Sequence, residues 1–454
     1  MSTILDPRPA AQSPPLVPGA LPLLGHGVSL VRRRLEFLRQ ARAYGPIVEL
    51  RIGPTAAYLV NEHTLLRQML VQDAARFPRG IHFQKARAVA GNGIITASGP
   101  EHRRQRRLVL PAFNRKRVEV YAQVMREIAV QRIEGWPQDR PMELKPEFVG
   151  LATRVGTKAL FSAELATPAV ATVERALPVL TRRVSLRAMD PTGLLERLPT
   201  PGNRRFATMM DELHGMIDGI IGTYRATERD RDDLLSMLMA ARDDETGRAM
   251  TDRQLRDEII SILLSSAETT ALTLSWACHE LGRHPSVQRR LQDEVDAVLG
   301  GRAPEHHELG ALDLTRRIIK ETLRLYPPTY FLSRTAVEEA ELGGYRIPKG
   351  TTMLYSFFSQ HRDPRLFPRP DHFDPDRWLP NRSADVTPDA YLPFGEGAHR
   401  CVGEGFAYAE AMTVLALIAG RWQLRPVPGE RVRPVGTVTL VPADLRMTVR
   451  RRTR

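Results

Sequence analysis

The run from Thr251 to Pro285, "TDRQLRDEIISILLSSAETTALTLSWACHELGRHP", constrains the fold more than any other stretch of this chain. Thr251 and Asp252 offer side-chain oxygens to the first unpaired amides of a helix, and no proline interrupts the run before Pro285, just past Gly282. The segment predicts a helix spanning roughly 45 Å at about 1.5 Å per residue. Its middle is apolar or small almost all round, the mark of a helix enclosed by others rather than lying on a surface. A rod of that length needs a large, mainly helical body around it.

The rest of the sequence agrees. With 454 residues, 42% hydrophobic and 26% charged, the chain can bury a large core and is too mixed for a disordered or fibrous class. "RLEFLRQARAYG" reads as a helix ending at a glycine, and "RVEVYAQVMREIAVQRIEGW" and "MMDELHGMIDGIIGTYRATERD" as longer helices. "IVELRIGPTAAYLVN" reads as two strands about a Gly-Pro turn, and further strand signals lie in "AELGGYRIPKGTTMLYS" and "GTVTLVPADLRMTVR". No fixed-period repeat or Ser/Gly linker divides the chain. The expectation is a mainly α protein with small β-sheets, one large domain over 1–454 with a Pro-rich lead-in at 1–20. The lead-in is too broken by proline and glycine for a transmembrane anchor or a cleavable signal. Two cysteines fit a reducing compartment, so the expected location is cytoplasmic.

A formal charge of +13 raises the question of nucleic acid. The basic clusters at Arg32 to Arg34, at "HRRQRRLVLPAFNRKR" and at the terminal "RRRTR" come without a helix-turn-helix, zinc-finger or aromatic RNA-binding pattern. They read as a solvated basic face, or as a surface for an acidic protein, with no nucleic-acid partner expected.

Cys278, within the apolar "LSWACHELG", reads as a small buried hydrophobe. Cys401 stands in "FGEGAHRCVG", where Gly395, Gly397 and Gly403 allow sharp turns and the following "GEGFAYAEAMTVLALIAG" is helical. That places its thiol at a helix N-terminus, where amides and dipole favour thiolate. No further cysteine or neighbouring His pair accompanies it, which argues against zinc or iron-sulfur, and His399 is the one base candidate nearby in sequence.

Phe394, Gly397, His399, Cys401 and Gly403 resemble the haem-binding loop of the cytochromes P-450, the haem-thiolate monooxygenases. Three further segments resemble the same family, and together they span most of the chain. Glu321 and Arg324 of "KETLRL", with Arg377 of "FDPDRW", are similar to its buried Glu-Arg-Arg cluster, a structural role. His102 and Arg106 of "EHRRQRR", Arg334 of "LSRTA" and His399 match positions that meet the haem propionates; many relatives have Arg in place of His399. "SSAETT" resembles the oxygen-activation motif, with Glu268 and Thr269 as the acid-alcohol pair, although Ser and Thr in mid-helix can also simply bond back to the preceding turn. Ser266 replaces the usual glycine, which keeps a side chain that narrows the groove beside the oxygen or holds a water.

The resemblance implies haem b ligated by Cys401, the metal ligand, and the fold of that family as a single large domain. It implies electrons from NAD(P)H through external partners, a ferredoxin and its reductase, since the sequence holds neither a dinucleotide fingerprint nor an iron-sulfur cysteine set. Arg103, Arg104, Arg107, Arg115 and Lys116 would suit an acidic donor. Candidate pocket residues are Leu263, Leu264 and Ala267 on the long helix, Tyr330, Phe331 and Leu332 in "PPTYFLS", and the segments "FPRGIHFQKARAVAGNGIITA" and "GTVTLV". Their apolar character implies a hydrophobic small molecule. "GPEHRRQRRLVLPAF" and "RDPRLFPRPDHFDPDRWLP" are most similar to bacterial terpene, including sesquiterpene, oxygenases. A fatty-acid or polyketide hydroxylase and a non-catalytic haem sensor are the alternative readings.

Overall fold

The computed structural model describes residues 12–161, 163–189, 198–227, 231–387 and 389–453. The first eleven residues of the lead-in and the last residues of "RATERD" lie outside them. The chain forms two compact units.

The first unit comprises Met1–His82, Phe331–Gln360 and Gly395–Arg400. Its centre is a four-stranded sheet in the order β1 (Ile47–Ile52), β2 (Thr55–Val60), β4 (Thr352–Ser356), β3 (Phe331–Thr335). β1 and β2 make the hairpin expected of "IVELRIGPTAAYLVN": Ile52 pairs with Thr55, and Gly53 takes the positive φ of 60° that the two-residue turn requires. β4 runs parallel to β2 and antiparallel to β3. One side of the sheet buries Val48, Leu50, Leu59 and Leu354 against Phe37, Leu38 and Ala41 from the helix Arg34–Ala41. Along β1, Val48 and Leu50 alternate with the polar Glu49 and Arg51, the period of a strand with one covered face, while Ile47 at its start is buried as well.

The second unit comprises Phe83–Tyr330, His361–Phe394 and Cys401–Arg454. It contains α2 (Gly99–Val109), α3 (Arg115–Glu134), α4 (Leu144–Leu160), α5 (Ala163–Met189), α6 (Pro201–Thr227), α7 (Leu234–Ala240), α8 (Asp252–Arg283), α9 (Pro285–Leu299), α10 (Asp313–Leu325) and α11 (Glu404–Arg421), while α1 (Ile81–Ala90) leads into it. The run from Thr251 to Pro285 supplies α8. Its Thr251 hydroxyl accepts from the Gln254 amide while the Gln254 side chain accepts from the Thr251 amide, a reciprocal cap. A Cβ on Gly282 would stand 2.5 Å from the terminal Cε of Met447 and 3.3 Å from Pro426, so α8 passes close to the strand segments there. α8 is long and apolar enough to cross a membrane, yet 72% of its most apolar window is buried inside the protein, as in a core helix. α4 and α5 were not singled out from sequence: Pro168 and Pro178 within α5 are breakers by local rules, and tertiary packing overrides them. Small antiparallel sheets at 141–143, 422–426 and 446–451, and at 433–443, complete the unit.

α11 packs along α8 with Glu410 fully buried between them. Neither carboxylate oxygen makes a well-formed hydrogen bond among the described residues. Burial pushes this acid up to about 8, with the Thr270 hydroxyl pulling weakly the other way. Because the folded value lies above the unfolded one, stability from the neutral acid is fully present below the ordinary carboxylate range and is lost as pH rises through about 8. We expect the melting temperature of the wild-type protein to fall from about pH 5 to pH 8 relative to a Glu410→Gln variant, measured by calorimetry across that range. Parallel curves for the two proteins would contradict the assignment.

Candidate functional site

Both cysteines are thiols, in opposite settings. Cys278 is fully enclosed in α8, and burial alone pushes its thiol far above the ordinary range. Cys401 is exposed, and its amide donates to the Phe394 carbonyl at 2.9 Å, closing a loop just before Gly403 caps α11. The sulfur therefore precedes the first turn of a helix, as expected. A Cβ on Gly403 would stand 3.9 Å from both Cys401 Sγ and the Phe113 ring. Aromatic packing fixes the surroundings: Phe406 meets Phe113 edge-on at 6.3 Å and Tyr121 at 5.9 Å, and Phe394 lies 5.5 Å from Tyr408.

The residues just before Cys401 belong to the first unit. Gly397 has a φ of 68°, and a Cβ there would lie 2.4 Å from the Leu70 carbonyl oxygen, so no other residue fits. Glu396 accepts from Arg67 Nε at 3.0 Å. His399 is half-buried at the end of the short turn Gly397–His399. Also in this unit, Arg334 lies on β3, 5% exposed, its guanidinium 5.9 Å from the Tyr355 ring centre. Its Nη1 is buried with no hydrogen-bond partner among the described residues. A buried cationic donor so placed calls for an anion.

In the second unit, His102 is buried on α2 and Arg106, one turn on, is half-buried. Their neighbours differ from the solvated face expected. Arg107 Nη2 binds Asp243 at 2.8 Å and Glu245 at 3.1 Å, and Arg104 donates to the Ala249 carbonyl at 3.1 Å. The Arg107 guanidinium, with help from Thr246, holds the Asp243 carboxyl down to about 2. Both arginines tie α2 to the segment before α8, contacts more than a hundred residues apart that no local pattern announces. Arg103, Arg115 and Lys116 remain exposed.

On α8, burial on both sides is interrupted at the motif. Ser265 is exposed, and Leu264, Glu268 and Thr269 are partly so, forming an open strip, whereas Leu263 and Ala267 pack in the core. The Thr269 hydroxyl donates to the Ser265 carbonyl at 2.6 Å, and that of Ser265 to the Ser261 carbonyl at 2.8 Å. Glu268, 17% exposed, pairs with Lys145 Nζ of α4 at 3.5 Å. Lys145 lies 123 positions earlier and was invisible to sequence reasoning. Ser266 departs from expectation. It is rotated about 100° from Ser265 around the helix, its Oγ 3.0 Å from where a Cβ on Gly156 of α4 would be, so the missing glycine is supplied by the neighbouring helix.

Of the remaining pocket candidates, Tyr330 is fully buried and its hydroxyl donates to the Thr437 carbonyl at 2.8 Å, anchoring the 433–443 hairpin that contains "GTVTLV". Phe331 and Leu332 are half-buried on β3.

Glu321, Arg324 and Arg377 come together with almost no exposure. Arg324 grips Glu321 through Nε and Nη2 at 2.9 and 2.8 Å and also donates to the carbonyls of His361, Pro370 and His372. Arg377 reaches Glu321 at 3.4 Å and the carbonyls of Pro368 and Arg369. Two further donors were not foreseen: Trp378 Nε1 at 3.0 Å and the Asp374 amide at 3.1 Å.

An exposed thiol at a helix N-terminus and a buried unpaired guanidinium are groups that fit a haem iron and a haem propionate. The comparisons agree. The family described as Cytochrome P450 matches residues 14–445. Cyclooctatin synthase of Streptomyces melanosporofaciens is 45% identical over 95% of this chain and 94% of its own. Pentalenene oxygenase of Streptomyces avermitilis is 38% identical over 96% and 97%. The crystal structure of the cytochrome P450DA heme domain superposes with a TM-score of 0.88 at 25% identity, covering 98% of this chain and 99% of that one.

Removing the carboxylate at the centre of the buried cluster strands two guanidinium groups. We expect Glu321→Ala to cost about 3–5 kcal/mol of stability in urea denaturation. A loss under about 1 kcal/mol, the value of an exposed pair, would contradict the structural role.

Proposed function

Because this chain belongs to the cytochrome P450 family and is a monooxygenase, we propose that it uses dioxygen to oxygenate a terpene, with Cys401 as the iron ligand. The observation that carries the reading is the open strip in the largely buried middle of α8, with Thr269 on it, in a chain that contains an exposed cysteine before α11. Relatives that modify terpenes, at 38 to 45% identity over nearly the whole length, support the substrate class. Another relative of the same Streptomyces melanosporofaciens, cyclooctat-9-en-7-ol 5-monooxygenase, is 40% identical. The overall change is balanced as one C–H bond, dioxygen, two electrons and two protons giving one C–OH and one water. The whole chain acts as one haem-thiolate domain in this reading, in the cytoplasm.

Haem b would be held by Cys401, with Phe394 and Gly403 shaping the loop; His102, Arg106, Arg334 and His399 would receive its propionates. When bound, haem supplies the dioxygen activation, and a thiolate ligand favours O–O cleavage. The chain's own work is to deliver protons and to exclude other reactions. Thr269 Oγ1 has its proton committed to the Ser265 carbonyl, which leaves its lone pairs to accept from a water on the open strip. Glu268 Oε1 is tethered to Lys145, an ammonium about one third exposed, so its carboxylate links solvent to that strip. Leu264 on the open strip would offer apolar surface to the substrate, with Leu263 and Ala267 packed in the core behind it; Tyr330, Phe331 and Leu332 are the further pocket residues that the resemblance implies.

Electrons come from NAD(P)H through a ferredoxin and its reductase. Arg103, Arg115 and Lys116, exposed and basic, suit an acidic donor, and such steering weakens with salt. Arg104 and Arg107 are committed elsewhere.

The substrate class is tested by incubating the haem-loaded protein and its redox partners with a panel of cyclic terpenes and weighing the products. A mass increase of one oxygen on at least one member is expected, and no product from any, with reduced cofactor still consumed, would exclude the class. For the relay, Thr269→Ala is expected to retain haem while at least half of the reducing equivalents appear as peroxide. Unchanged coupling would contradict it.

A further inference from the structure

The segment "GNGIITA", Gly91 to Ala97, joins α1 to α2 and contains part of the apolar pocket sequence noted above. Two adjacent acids of α8 hold it by its backbone. Asp257 Oδ2 accepts from the Asn92 amide at 2.8 Å, and Glu258 Oε2 accepts from the Ile94 amide at 2.9 Å. Glu258 is fully buried and Asp257 is 9% exposed, so these are acid side chains withdrawn from water whose oxygens satisfy main-chain donors.

Two glycines seat the loop against α8, and two further side chains tie it in place. Gly91 has a φ of 60°, and a Cβ on it would stand 2.2 Å from Asp257 Cγ; a Cβ on Gly93 would stand 2.2 Å from Ser261 Oγ and 2.4 Å from the Asp257 carbonyl oxygen. The backbone thus lies directly on α8, closer than any side chain permits. The buried Thr96 hydroxyl ties the turn internally to the Gly91 carbonyl at 2.6 Å. Gln105 of α2, also buried, donates to the Asn92 carbonyl at 2.6 Å.

The position along the helix gives this clasp its meaning. Glu258, Ser261, Ser265 and Thr269 are spaced by three, four and four residues, so they share one stripe of α8. Glu258 lies two turns, roughly 10 Å, before Ser265, where the open strip begins. We propose that Asp257 and Glu258 are positioning residues that fix the Gly91–Ala97 loop across the N-terminal end of that strip, so that the pocket is preset in length and discriminates hydrophobic ligands by size and shape. Neither acid touches the reacting atoms. A loop locked before the ligand arrives loses little entropy on binding and rejects what does not fit. The inference rests on the monooxygenase reading of the strip and is independent of the terpene assignment.

The test uses haem-loaded protein and two perturbations from opposite sides. Glu258→Leu removes the acceptor on α8, while Gly93→Ala pushes the loop away and leaves both acids in place; Glu258→Gln keeps an acceptor oxygen of the same shape. Amide hydrogen exchange of residues 91–97 and dissociation constants for a graded series of aryl imidazoles, which report through the haem spectrum, are measured for each. Expected are exchange in 91–97 faster by about tenfold or more in Glu258→Leu and Gly93→Ala, with the affinity ratio between compact and bulky imidazoles falling about tenfold. Glu258→Gln should stay close to wild type. Unchanged exchange and an unchanged ratio in both Glu258→Leu and Gly93→Ala overturn the proposal, as does a Glu258→Gln variant that behaves like Glu258→Leu. If no terpene is oxygenated, the substrate reading fails while these imidazole and exchange results still decide the clasp.

Discussion

One carboxylate, Glu321, organises the second half of the larger unit. With no exposure to water it accepts from Arg324, Arg377, Trp378 and the Asp374 amide, while the two guanidinium groups satisfy the carbonyls of His361, Pro368, Arg369, Pro370 and His372. The stretch from 361 to 378 has little regular secondary structure of its own, so its backbone groups find partners in these side chains instead of a ladder. Such a cluster is not a source of net stability, because desolvating three charges offsets much of their attraction. Its effect is to make every alternative path for that stretch leave a buried charge unpaired. The ordered stretch then delivers the chain to Phe394, whose carbonyl receives the Cys401 amide.

The long helix α8 has to satisfy two opposed demands. It is the core of the larger unit, with Trp276 bonded to the Leu440 carbonyl and Cys278 fully enclosed, and it also presents polar groups where chemistry is proposed. The conflict is resolved by helical geometry. Ser265 and Thr269 hydrogen-bond back to the preceding turn, which removes the penalty for hydroxyls in mid-helix, and Glu268 finds Lys145. Close approach of α4 is possible because Gly156 faces Ser266. The polar residues thus fall on the strip, the small ones against α4 and the apolar ones in the core.

Most of what is local was readable from the residues. The Thr251–Gln254 cap, the Gly-Pro hairpin of β1 and β2, the burial of Cys278 and the position of Cys401 before a helix all depend on spacings of a few residues, which sequence displays directly. What escaped is non-local. The Lys145–Glu268 pair, the grip of Asp243 on Arg107, the fit of Ser266 to Gly156 and the hold of Asp257 and Glu258 on the loop after α1 each join segments more than a hundred residues apart. A charge or a glycine in sequence carries no address for its partner. Arg104 and Arg107 illustrate the consequence, since two members of a run of like charges serve as internal ties while Arg103 stays in water.

Whether Cys401 would hold the haem iron is the point on which the rest turns. The ferrous carbon monoxide spectrum of the purified, haem-loaded protein measures it directly. Ligation by the Cys401 thiolate predicts the strongly red-shifted Soret band of a thiolate-bound haem, lost when Cys401 is replaced by alanine while the fold is retained. A band at the position of a histidine-ligated haem in the wild-type protein, or a red-shifted band that survives the replacement, would contradict the account.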